Sequence, residues 1–160
     1  MATLEQRVQR LEDIEAIRRL KQEYAGYCDA GYDPDGIASL FTEDATWDAM
    51  ELNFHLTGRQ RIHDFFAGVS NDNSFALHYI LGHLIDVADD GVNAQGTWYI
   101  WMPATIHGDA TWTAAQYTDT YKKVDGRWLF ASVRIDYGFF TTYEKGWVEE
   151  RIRVDERDYA

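Results

Sequence analysis

The sequence predicts an α+β fold: a curled, mostly antiparallel sheet that forms a cone, closed by three N-terminal helices. Three observations predict it. Helix-periodic segments fill the first half of the chain and long β-prone runs fill the second. Those runs are long enough that the sheet must twist and curl. The 160 residues also include 6 Trp, 10 Tyr and 8 Phe, while mean hydropathy is only −0.44. The apolar mass is therefore ring-shaped, which suits the wall of an interior pocket.

The first element is a long helix. Leu4, Val8, Leu11, Ile14, Ile17, Leu20, Tyr24 and Tyr27 step by three or four residues and make one apolar stripe. Thr3 with Gln6 reads as its capping box. Gly31 and Asp33-Pro34-Asp35-Gly36 end it. A short helix follows over 35–41, then a strand from Ala45 to about Phe54. Residues 58–69 read as a third helix with Ile62, Phe65 and Phe66 inward, and 70–74 as a polar loop.

In the second half, 76–88 is an apolar strand stopped by Asp89-Asp90-Gly91. Residues 92–106 and 111–124 are long strands rich in Thr, Trp and Tyr. Asp125-Gly126 is a two-residue hairpin turn into a last strand over 127–143. The charged end from Glu144 is either a short helix or an arm over a neighbour. The length predicts one domain across 1–160, with its core at 8–142 and a tail at 143–160.

Fifteen Lys and Arg against 27 Asp and Glu give a net charge of −12. Nucleic acid and anionic membranes select the opposite balance and are excluded as partners. No Lys or Arg occurs between Arg61 and Lys122. The lone cysteine, Cys28, has no internal disulfide partner, and the first residues carry no apolar leader segment, so the expectation is a cytoplasmic protein.

Gly-rich phosphate loops, a G-x-S-x-G elbow and paired cysteines are absent from the sequence. His78 and His83 are five apart in one predicted strand, on opposite faces, and cannot share a metal. What remains is acid–base chemistry without a metal or organic cofactor. His78 lies in an apolar run, either as a buried general base or as a core histidine bonded to a backbone carbonyl. Asp29 is either functional or a turn-former ahead of Gly31. Tyr24 lies five residues earlier, about 140° around the helix, as a core ring or a second wall of the same cavity. Arg134 pairs with Asp119 or Asp136, or faces a substrate. Trp98 and Trp101 are three apart and face opposite ways, so one can line a pocket.

Several segments in order resemble the SnoaL-like, nuclear transport factor 2-like superfamily. They are Leu11-Glu12-Asp13-Ile14-Glu15-Ala16-Ile17, Tyr24, Cys28-Asp29, Leu40-Phe41-Thr42-Glu43-Asp44-Ala45-Thr46-Trp47, Gly58-Arg59, His78 and Asp125-Gly126-Arg127-Trp128. Within it, Gly96-Thr97-Trp98-Tyr99 and the run from Tyr117 to Trp128 are similar to the bile acid 7α-dehydratases. Scytalone dehydratases and hexachlorocyclohexane dehydrochlorinases look like more distant relatives. The resemblance implies a cofactor-independent lyase, a dehydratase of hydrophobic cyclic carbonyl compounds such as steroid-like or polyketide molecules. It implies His78, Asp29 and Tyr24 as catalytic residues, and Trp47, Trp98, Tyr117 and Arg134 as the substrate pocket. The chain departs from the bile acid enzymes at about Met102, where they are acidic, and at Tyr137, where they carry an arginine. Ketosteroid-type isomerases and non-catalytic binding or dioxygenase-partner subunits share the fold and stand as alternatives. By the same resemblance the assembly is a homotrimer, with a homodimer as the alternative, and surplus rings on the outer sheet face make the subunit contact.

Overall fold

The structure, a computed structural model, describes residues 2–154. Helix α1 runs over Leu4–Asp29, started by the expected capping box in which Thr3 and Gln6 exchange hydrogen bonds. Its apolar stripe is buried only from Ile14 onward, where Ile17, Leu20, Tyr24 and Cys28 press on the sheet. Leu4, Val8 and Leu11 project past the sheet and stay exposed. Full burial of Ile17 and Leu20 contributes roughly 1.5–3 kcal/mol each. Midway along α1, buried Asp13 accepts from Trp128 Nε1 at 2.9 Å and pairs with Lys123. These contacts fasten the helix to the last hairpin.

Helix α2 spans Pro34–Ala38 behind an Asp33 cap, shorter than expected, because the chain turns at Ser39 and joins the sheet at Phe41. Strand β1 spans Phe41–Ala49 and β2 spans Phe54–Thr57. The single strand expected over 45–54 is thus broken. A 3₁₀ turn at Met50–Leu52 and left-handed Asn53 fold β2 back antiparallel on β1. Helix α3 covers Arg59–Asp72 and β3 covers Asn73–Ala76, so the polar run 70–74 is no loop. Polarity there marks the solvated end of a helix, not its stop.

The expected strand 76–88 is also split: β3 ends at Ala76, and β4 spans Tyr79–Val87 after a break at Leu77-His78. Strands β5 (Asn93–Ile106), β6 (Asp109–Val124) and β7 (Arg127–Thr142) fall within two residues of the expected bounds. Asp125 and Gly126 both have positive φ, as a two-residue hairpin turn requires.

The sheet order is β2-β1-β7-β6-β5-β3, and β4 pairs with the same edge of β5 as β3. Among the described strand pairs β1–β7 alone is parallel, and one isolated parallel bridge joins Phe140 to Ile152. The pairing of β6 with β7 shifts register twice, and such bulges bend a sheet. One shift leaves Gly138 against the Ala114 carbonyl, where an added Cβ would stand 3.1 Å from that oxygen. The three helices close the concave face, which gives the expected cone.

After β7, the short helix α4 (Gly146–Glu149) leads back along the strand's end, where Phe140 bonds with Arg151 and Arg153. Its Trp147 lies 4.9 Å from Phe139, beside the outer-face rings Trp101 and Trp112. Part of the ring surplus expected at a subunit contact is therefore met by the chain's own tail. The last six residues of that tail lie outside the described residues.

Candidate active site

Inside the cone lies a cavity of about 500 Å³. Nine of its lining residues are aromatic, drawn from α1, the α1–α2 turn, β1, β2, α3, β6 and β7. Among the described residues lining it there is no Lys or Arg. Such a chamber favours a neutral, apolar guest over a charged one.

Asp29 is the last residue of α1 and pairs with His78, which lines this cavity. A carboxylate at a helix C-terminus meets the wrong end of the dipole. Two donors compensate: the His78 backbone N–H reaches Asp29 Oδ1 at 2.8 Å, and His78 Nδ1 reaches it at 2.7 Å. The break between β3 and β4 frees that N–H from the sheet ladder for this purpose. The His78 side chain is only 7% exposed and lines the cavity. With Nδ1–H donating to the carboxylate, the imidazole is held in one tautomer, and Nε2 keeps its lone pair. This is the geometry of a general base with an orienting carboxylate.

Tyr24, 2% exposed, also lines the cavity. Its oxygen accepts from Trp47 Nε1 at 3.1 Å, and its own O–H, within reach of the Cys28 sulfur, is a donor. Burial pushes the phenols of Tyr24, Tyr32, Tyr117 and Tyr137 above the usual tyrosine range, so each stays a protonated donor. Burial, reinforced by the Asp29 charge, also pushes the Cys28 thiol up, which makes it a poor nucleophile.

Tyr24, His78, Trp47 and Tyr117 therefore line one space, and Asp29 joins it through its bond to His78. Two of the expected pocket residues do not. Trp98 is buried on the inner face, but its indole leans away and donates to Tyr121 Oη at 2.9 Å. It borders an outer groove between α1 and β4 with His83. Strand parity assigns a face, not a side of the helix lying across that face. Arg134 points outward, 55% exposed, and bonds Asp136. Its neighbours Val133 and Ile135 are both buried, so alternation turns the arginine to solvent.

The sequence reading missed Tyr32 and the role of Phe54, Phe65 and Phe66 as a cavity wall, and noted Tyr137 only as a departure from the bile acid enzymes. It also missed a second ion pair: Lys21 Nζ bonds Asp119 Oδ2 at 2.9 Å with both side chains fully buried. Each had a signal, because Lys21 follows Ile17 by four on the buried stripe and Asp119 alternates with Tyr117 and Tyr121. Burial pulls the Lys21 ammonium down and pushes the Asp119 carboxyl up, and their mutual bond opposes both shifts. Among the described residues, no three His, Cys, Asp or Glu side chains converge as a metal site.

The sequence model of the SnoaL-like domain matches residues 9–134. The chain belongs to that family. Solved structures share its fold. A protein of Novosphingobium aromaticivorans named as a scytalone dehydratase is 25% identical, with a TM-score of 0.77 over 84% of this chain and 90% of its own. Another from that organism, named as an aromatic ring hydroxylase, is 24% identical, with a TM-score of 0.76 over 82% and 94%. A hexachlorocyclohexane dehydrochlorinase from Novosphingobium barchaimii is 21% identical, with a TM-score of 0.75 over 84% and 92%. Among the described residues no helix is long and apolar enough to cross a membrane.

Proposed function

We propose that this SnoaL-like protein is a cofactor-independent lyase, a dehydratase of a neutral, hydrophobic, cyclic carbonyl compound. The observation that carries the reading is the Asp29–His78 pair held on an aromatic, cation-free cavity. His78 Nε2 removes a proton α or vinylogous to the carbonyl. Asp29 fixes the ring and stabilises the imidazolium that forms. Tyr24 donates to the carbonyl oxygen as negative charge builds there. Loss of hydroxide from the β carbon then completes the alkene. The lyase names among structural neighbours support this class of reaction.

A bicyclic β-hydroxy ketone, 3-hydroxy-1-tetralone, tests the reading, because its dehydration yields fluorescent 1-naphthol. His78→Ala is expected to lower turnover by about 10²–10⁴-fold, the usual worth of a general base. Undiminished turnover overturns the assignment, and a product of unchanged mass reassigns the site to isomerisation. The protein acts in the cytoplasm on this reading, as a homotrimer. Exposed Tyr79, Leu81, Leu84 and Tyr99 on β4 and β5 are apolar surface that such an assembly covers. Light scattering that reports a monomer removes the trimer.

A further inference from the structure

Dehydration needs a group that protonates the departing hydroxide, and Tyr24 is already committed to the carbonyl oxygen. We propose that Tyr32 is this general acid, a role that rests on the dehydratase reading above. Its backbone is the first sign. Tyr32 has φ +60 directly after Gly31 at φ +95. A bulky side chain rarely adopts that conformation, and such outliers cluster where function demands them.

The conformation puts the ring into the cavity, stacked on Phe66 at 6.2 Å and 14°. The same ring meets His78 edge-on, with 6.0 Å between centroids. Asn73 Nδ2 donates to Tyr32 Oη at 3.3 Å, which leaves the phenol proton to give away. Burial holds that phenol protonated at neutral pH. Base and acid are thus neighbours on one wall, while Tyr24 is held apart by Trp47.

The steps balance. The substrate C–H breaks and its proton joins His78 Nε2, leaving the electron pair on the carbonyl oxygen. That pair returns to form C=C as the β C–O bond breaks. The leaving oxygen takes the Tyr32 proton and departs as water. The imidazolium then returns its proton to the Tyr32 phenolate, and the site is restored.

Tyr32→Phe separates the two halves of this sequence. Deuterium exchange into 1-tetralone, a ketone without a leaving group, reads proton removal alone. Dehydration of 3-hydroxy-1-tetralone reads both halves. Tyr32→Phe is expected to lose dehydration by about 10²-fold or more while exchange falls by less than about tenfold. Asn73→Ala is expected to slow only dehydration, by about tenfold. Dehydration at the wild-type rate in Tyr32→Phe overturns the role while leaving the base assignment standing. Equal loss of both reactions also overturns it, since Tyr32 then serves His78 rather than the leaving group. Exchange that is absent from the wild-type protein overturns the base assignment and this role with it.

Discussion

Two of the charged pairs that α1 makes beyond itself, at Lys21 and Asp29, lie eight residues or about 12 Å apart along its axis. Lys21–Asp119 is sealed: neither side chain is exposed, Tyr121 donates to Asp119 at 2.9 Å, and the ammonium lies 3.4 Å from the Tyr117 ring centroid. Asp29–His78 is open: the carboxylate keeps about 30% of its surface and the ring borders the cavity. The sealed pair is closed to solvent and joined through Asp119 Oδ2 alone, with Asp119 Oδ1 buried and without a hydrogen-bond partner among the described residues. The open pair leaves Nε2 unused. A charge pair shut away from solvent fixes position, whereas a pair at a cavity wall is placed for the chemistry proposed above.

Substitutions at the two pairs are expected to have opposite readouts. Asp119→Ala strands an ammonium in the core and is expected to lower stability by about 3–5 kcal/mol in denaturant unfolding. Replacing both partners, as Lys21→Met with Asp119→Leu, is expected to restore stability and keep turnover. A double variant that folds well but has lost activity would join the sealed pair to the chemistry and end the contrast.

Alkaline titration tests the seal itself. Burial raises the pKa of Tyr24, Tyr117 and Tyr121 above the ordinary value of 10.0, so the unfolded chain ionises them first. Their contribution is complete below pH 10 and is lost as pH rises above it. The three together steepen the fall by up to about 4 kcal/mol per pH unit. Tyrosinate absorbance from the buried rings should appear together with loss of circular dichroism. Ionisation of all ten tyrosines near pH 10 in a still-folded protein would contradict the seal.

The smallest of these effects falls on the open pair. Asp29→Asn keeps the shape and removes the charge that stabilises the imidazolium. It is expected to cost about 10²-fold in turnover, or about 2.7 kcal/mol, with stability unchanged to first order. A large drop in melting temperature would show that the open pair is structural too.

The long strands and the three helices were legible because periodicity and turn residues are local signals. Residues read alone left Asp29 and His78 undecided. The ordered resemblance selected them, and the structure then placed them 2.7 Å apart. Trp98 and Arg134 were misplaced for want of tertiary detail, although the buried neighbours of Arg134 already turned it outward. Tyr32 was illegible, since nothing in its sequence context announces a left-handed tyrosine. The splits at Met50–Leu52 and Leu77-His78 escaped because an apolar run does not reveal where its hydrogen bonds stop.

One carboxylate oxygen grips both the ring and the backbone of residue 78. The alignment of the pair is therefore referenced to the end of α1 rather than to the register of β3 and β4. That edge already carries a slip around left-handed Gly82. On the dehydratase reading, changes farther along this edge leave the anchor of His78 at the end of α1 in place. On that reading, a fold wired this way recuts its entrance for new guests while the Asp29–His78 pair stays where it is.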